Sequence, residues 1–265
     1  MSIEIRKPKF DFNNVPKNWY KDNPVLTAFW NSFSLTFPEG EKFFVKSVKY
    51  YEEQTFDELL KSDIKSFIGQ EAQHGKQHRA FNKMLKSHGY SSVDELESVV
   101  VFLLKTANKI LTPEMKLAVT CALEHFTALL GEQLLTDEQH QLNIDSSIKD
   151  LWMWHALEEI EHKSVAYNVY IETKGTYFIR ILTMIVVSAI LTLAILSIWT
   201  VMLSDKEIKN KDVFEAYECL FSSANGLFPK LTKQYMDYFH PSFHPSWNKA
   251  DNLIKTWNEK LYFSV

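Results

Sequence analysis

A chain of 265 residues can bury a substantial core, and its net charge of −4, without a basic stripe, argues against a nucleic-acid partner. Only 7 glycines and 8 prolines leave too few turn residues for an all-β fold, so the composition favours helices. The two cysteines, Cys121 and Cys219, match no zinc-ligand spacing, which favours a reducing compartment over a structural disulfide.

Residues 1–22 read as a polar, irregular arm with no apolar stretch of the kind a secretory signal carries. Asn23-Pro24 starts a helix that runs to about residue 53, and Pro38 and Gly40 inside it predict a kink or break near Phe37. Thr55-x-x-Glu58 resembles a capping box opening a second helix, which continues to His88 and stops at Gly89. A shorter helix is expected over about 93–110, and Thr112-Pro113 starts another that reaches about His140. The polar stretch Gln141–Ser147 reads as a loop, and a helix over about 148–173 ends at Gly175.

From Ile181 to Leu203 no residue is charged. At about 1.5 Å per residue this run can cross a hydrocarbon core of roughly 30 Å. Arg180, Trp199 and Lys206 are placed as interface anchors, and the competing reading is a helix buried inside the protein. Residues 205–265 read as one or two amphipathic helices with a Pro/His/Trp-rich tail.

Eight polar residues interrupt the apolar rows of these helices. In the second helix the row Ile64, Phe67, Ile68, Phe81, Leu85 is filled at its centre by Glu71, His74 and His78. Glu124 lies in the row Leu117, Cys121, Ala128, Leu135, and His155, Glu159 and His162 lie in the row Trp152, Ala166, Val169. Glu41 is bracketed by Phe33, Phe37, Phe44 and Val48; its rival Glu39 fits a weaker row with Leu35 and Phe43. An unpaired buried charge costs on the order of several kcal/mol, so a purely structural core has no reason to keep four.

Two divalent metals would balance the four glutamates. The order Glu, Glu-x-x-His, Glu, Glu-x-x-His, each group on its own helix, is the ligand set of a carboxylate-bridged dinuclear site in a four-helix bundle: Glu41, Glu71, His74, Glu124, Glu159 and His162. Mixed oxygen and imidazole donors suit iron, or manganese, better than structural zinc. One Glu-x-x-His alone is usually a solvated pair; two on apolar rows, each preceded by a lone row Glu, are much harder to explain that way. His78 and His155 lie one turn from these ligands. Each is an extra ligand, a hydrogen-bond donor that orients a carboxylate, or a satisfied core histidine, and the orienting role is preferred. His125 faces elsewhere, Glu158 and Glu161 are expected in solvent or paired with Lys163, Glu132 at the surface, and Tyr167 and Tyr170 packed. The expected organisation is an arm (1–22), a metal-binding helical bundle (23–175), an apolar helix, membrane-associated or buried (176–204), and a C-terminal helical extension (205–265).

The strings Phe37-Pro-Glu-Gly-Glu-Lys-Phe-Phe44, Gly69-Gln-Glu-Ala-Gln-His-Gly-Lys-Gln-His78, Ala122-Leu-Glu-His-Phe-Thr-Ala128 and Trp154-His-Ala-Leu-Glu-Glu-Ile-Glu-His-Lys-Ser-Val-Ala166 resemble a bacterial family of predicted metal-dependent hydrolases. The ligand order is also similar to that of the ferritin-like di-iron carboxylate superfamily. That resemblance implies an all-α, ferritin-like four-helix bundle, in which Glu41 and Glu124 are the lone carboxylates and Glu71 with His74, and Glu159 with His162, are the two Glu-x-x-His pairs.

Two reactions compete. Oxygen activation by a di-iron centre fits the 19 Phe, 11 Tyr and 7 Trp, which supply a dry pocket for a small apolar substrate or lipid and call for an electron donor. Hydrolysis by a two-metal-activated water calls for a polar cleft and more aspartates. Metal storage is the non-enzymatic reading. The expected location is cytoplasmic, at the inner face of the membrane where residues 181–203 contact lipid.

Overall fold

The computed structural model describes residues 3–261 apart from 205 and 224, and among these all regular structure is helical. Four helices define the architecture: α1 (Pro24–Lys49), α2 (Glu58–Ser87), α4 (Pro113–Thr136) and α6 (Ser146–His162). α1 packs on α2 and on α4, and α6 packs on α4 and on α2, so the four close a ring. Between α2 and α4 lies α3 (Val93–Ile110), which packs against α1 and carries the chain back along the bundle. The short α5 (Glu138–Asn143) turns the chain into α6, and α7 (Val165–Glu172) prolongs α6 after a turn at Lys163 and Ser164. The long α8 (Tyr177–Leu203) lies against α4 and α1, and α9 (Asn210–Phe221), α10 (Leu227–Asp237) and α11 (Asp251–Lys260) close one side.

The core is divided. One apolar cluster gathers the first half of α1 with the ends of α2 and α4 and the start of α6. A second gathers the last half of α1 with the starts of α2 and α4 and all of α7. The polar residues singled out above occupy the layer between them. α4 and α6 approach closely there because position 131 is glycine: a Cβ on Gly131 would sit 2.9 Å from the Ala156 carbonyl oxygen.

Several local expectations change. Pro38 does not break α1, which runs unbroken and buries the proline. Proline removes the hydrogen bond to the carbonyl four residues back, and that carbonyl, on Ser34, is instead satisfied by the Asn82 side chain at 3.2 Å. α2 is capped by Asp57, which accepts from the Leu59 and Leu60 amides, whereas Thr55 donates its hydroxyl to the Tyr51 carbonyl. The helix from Pro113 ends at Thr136 and not at His140, and part of the expected 141–147 loop is α5. Arg180 and Trp199 are not interface anchors. Arg180 is buried and donates to the carbonyls of Tyr238 and His240, tying α8 to the segment after α10, and Trp199 donates to the Val25 carbonyl, tying α8 to α1. By length and composition α8 could cross a membrane, with a mean hydropathy of 2.7, yet 28% of its most apolar window is buried in the protein.

A buried carboxylate–histidine centre

Each helix of the ring brings its polar residues to the middle layer by helical spacing. Glu71, His74 and His78 stand at i, i+3 and i+7 on α2; His155, Glu159 and His162 stand at i, i+4 and i+7 on α6; Glu41 and Glu124 come singly from α1 and α4. All eight are buried. Glu39 instead keeps 30% of its side chain exposed and pairs with Lys42.

The donor atoms converge. His162 Nε2 lies 3.1 Å from Glu71, 3.4 Å from Glu124 and 3.6 Å from Glu159. His74 Nδ1 lies 3.5 Å from Glu71 and 3.4 Å from Glu159. His155 Nε2 lies 2.8 Å from Glu159 and 3.8 Å from Glu41. His78 touches none of the carboxylates; it bonds His155 and Ser34. Three groupings place their donor atoms within 4.8 Å of one another: Glu71 with Glu124 and His162, Glu71 with His74 and Glu159, and Glu41 with His74 and His155. Glu71 and His74 each belong to two of them.

What these atoms lack is partners. Both carboxylate oxygens of Glu41, Glu71 and Glu124, Oε2 of Glu159, Nδ1 of His74 and Nε2 of His162 are buried without a hydrogen bond. Buried polar atoms are almost always satisfied, so such a concentration at one point fits a cation held by these residues.

The electrostatics agree. Burial, reinforced by Glu71, pushes the Glu41 carboxyl well above its ordinary range, and burial likewise raises Glu71. Burial and Glu159 push Glu124 up to about 8. Burial acts against the charge of Glu159 too, but the close imidazoles of His155, His162 and His74 outweigh it and hold that carboxyl well below the usual range. Burial opposes the charged forms of His74 and His162, yet the surrounding carboxylates outweigh it and hold both above the usual imidazole range. His155 is lowered to about 4 by burial and by His74, and His78 is lowered by burial and by His155.

The residues behind the two Glu-x-x-His histidines correct one expectation. Glu158 is not solvated or paired with Lys163: it is fully buried, accepts from His74 Nε2 at 3.0 Å and from Trp154 at 2.9 Å, and is held by Arg6 at 3.0 Å. Lys163 instead donates to the Asn248 carbonyl. On the other side His162 Nδ1 donates to Gln70, whose amide donates to Glu161, and Arg6 grips Glu161 with both guanidinium nitrogens. One arginine from the N-terminal arm therefore stands behind both imidazoles, fixing tautomers whose free nitrogens point at the carboxylates. The arm reaches this position because Gly69 leaves room for Ile5 and because Gln70 and Gln77 donate to the carbonyls of Glu4 and Pro8. A sequence that places an arginine 152 residues from its glutamate offers no signal for this pairing.

The remaining candidates lie apart. His125 donates to the Gln234 carbonyl and is lowered to about 4 by burial. Glu132 accepts from the Gln234 amide. Tyr167 and Tyr170 are packed, their hydroxyls given to the carbonyls of Phe243 and Thr176.

An all-helical chain with a buried set of carboxylates and imidazoles fitted to metal is the class that fold and centre define. The chain belongs to the family described as "Predicted metal-dependent hydrolase", whose profile matches residues 4–249. Among curated proteins and solved structures nothing matches it.

Proposed function

We propose that the centre holds two metal ions in a ferritin-like bundle, iron in preference to manganese, and that the protein oxidises a small apolar molecule or lipid with dioxygen. The observation that carries this reading is a cleft between α1, α4 and α6. Its walls include Trp30, Phe33, Phe37 and Trp152, and it reaches the centre at His155 and Glu159. The cleft leaves about 30 Å³, room for a guest the size of dioxygen, and its apolar walls keep bulk water from the centre, so a larger substrate requires the walls to open.

Glu41, Glu71, His74, Glu124, Glu159 and His162 would hold the metal pair, the carboxylates of Glu71 and Glu159 lying nearest to histidines of both motifs. When bound, iron would pass to dioxygen the electrons that an external reductant provides. The overall step balances as substrate R–H, one dioxygen, two electrons and two protons giving R–OH and one water, the electrons coming from an external reductant. Glu158, Gln70 and Arg6 keep the histidines oriented throughout.

Hydrolysis is the second reading, and the description of the family favours it. One pair of measurements separates the two. Protein loaded with ferrous iron is expected to take up about two irons per chain, to be oxidised on mixing with dioxygen, and to leave a panel of esters and amides intact. Ferrous protein inert to dioxygen that cleaves members of the panel establishes hydrolysis instead.

Lipid contact belongs to the same proposal. Because α8 is held lengthwise on the bundle, its free face, with Leu182, Ile185, Val186, Ile190, Leu193 and Leu196 exposed, is offered to a lipid surface without leaving the protein. That face carries no charged side chain. A protein partner needs polar groups to fix register, whereas a bilayer asks for none. The full chain is expected to float with phospholipid vesicles and to lose this on Ile185→Lys with Leu193→Lys. Wild-type protein that stays in the aqueous fraction, or forms a stable dimer unaffected by vesicles, contradicts lipid docking.

A further inference from the structure

The polarity of one buried hydrogen-bond chain bears on His155. The chain runs from the middle layer outward through His155, His78, Ser34 and Asn82 to Glu97, with heavy-atom distances between 2.7 and 3.0 Å. Its direction can be read from the far end. The Asn82 amide nitrogen faces two acceptors, Glu97 Oε1 and the Ser34 carbonyl, so its other side-chain atom facing Ser34 is the oxygen. Ser34 therefore gives its single hydroxyl proton to Asn82. Its oxygen can then only accept from His78, which places the His78 proton on Nδ1.

With its proton on Nδ1, His78 presents a lone pair at Nε2. The atom 2.7 Å away is His155 Nδ1, which must then be the donor. His155 is left with Nε2 directed at Glu159 Oε1 at 2.8 Å and Glu41 Oε1 at 3.8 Å. A bare imidazole lone pair facing two carboxylates is repulsive unless a proton or a metal ion lies among them. His155 also shares a donor-atom grouping with Glu41 and His74.

We propose that His155 Nε2 is a third imidazole ligand, bound to the metal that Glu41 and His74 hold, and that the set is four glutamates and three histidines. This rests on the dinuclear reading above. His78, Ser34 and Asn82 are then positioning residues. They hold the His155 proton on Nδ1 and turn its lone pair inward. The two metals are unequal in consequence: the position beside Glu41 has two imidazoles, the position beside Glu124 has one. Phe37 packs against the rings of both His78 and His155, at 4.8 and 4.6 Å between centroids, and keeps water from competing for these nitrogens.

The test uses the full wild-type chain, labelled with 15N at histidine and loaded with 113Cd, a diamagnetic ion that reports each bond to nitrogen as a resolved coupling. Three imidazole nitrogens are expected to couple, two to one cadmium and one to the other, and His155→Ala removes one coupling from the pair. Loading that produces couplings only to His74 and His162, with His155 Nε2 still protonated, overturns the proposal and leaves the dinuclear reading standing. No uptake of cadmium, iron or manganese overturns both. In chelator competition His155→Gln is expected to weaken the more tightly coordinated metal about 10–100-fold and to leave its neighbour within about twofold; equal weakening of the two counts against the assignment.

Discussion

Exchanging Glu124 for leucine is expected to stabilise the metal-free protein while abolishing uptake of the metal beside His162. Both oxygens of Glu124 are buried without a partner, and burial pushes its carboxyl up to about 8. It therefore costs folding energy that only a cation can return. Its row neighbours Leu117, Cys121 and Ala128 are buried and apolar and can accept an aliphatic side chain of similar size. A buried polar group left without a hydrogen-bond partner costs about 1–3 kcal/mol, which an apolar side chain of similar size removes. For a chain of this size each kcal/mol moves the melting temperature by roughly 2–4 °C.

Glu158 should behave in the opposite way. It is as deeply buried, yet it is bonded to His74, Trp154 and Arg6. Glu158→Leu strands those partners and is expected to destabilise by about 3–5 kcal/mol. Calorimetry of metal-stripped samples, with metal content measured in parallel, checks both. A Glu124→Leu protein that melts lower than wild type and keeps its full metal content would contradict the role given to Glu124.

The contrast between these two glutamates marks how far the sequence could be read. Glu124 was legible because its cost shows in one dimension: a carboxylate on the apolar row of its own helix. The same reasoning located Glu41, Glu71, His74, Glu159 and His162, all of which the structure draws into one layer. Glu158 was not legible, because from Leu151 to Ile160 α6 is buried on every side and has no solvent face against which a row can be defined. Its partner Arg6 lies in a segment without periodicity. The unbroken α1 was hidden for a similar reason. What lets Pro38 stay in the helix is Asn82, on another helix and 44 positions away. Tertiary partners, unlike helical faces, leave no local trace.

Rising pH is expected to weaken the metal-free protein and to strengthen its grip on metal. Glu124 titrates near 8 when folded against an ordinary value of 4.5, so the folded chain holds a proton that the unfolded chain has lost. Its contribution is fully present below pH 4.5 and disappears as pH climbs through 8. His74 and His162, raised by their carboxylate neighbours, act with the same sign above the imidazole value of 6.5. Glu159, held low by three histidines, acts oppositely, but its contribution is complete by neutral pH and falls away only on acidification. Between pH 6 and 9 the metal-free stability should therefore fall, on the order of 3 kcal/mol from Glu124 alone. Metal reverses the sign, since each cation takes the place of protons among the same oxygens and nitrogens. Loaded protein should hold its stability across this window, and its affinity should rise with pH. Titration calorimetry in buffers of different ionisation enthalpy is expected to count more than one proton released as the centre fills at pH 7. Metal-free protein that becomes more stable from pH 6 to 9, or loading that releases no protons, would show that these carboxyls and imidazoles carry no protons for a metal to displace.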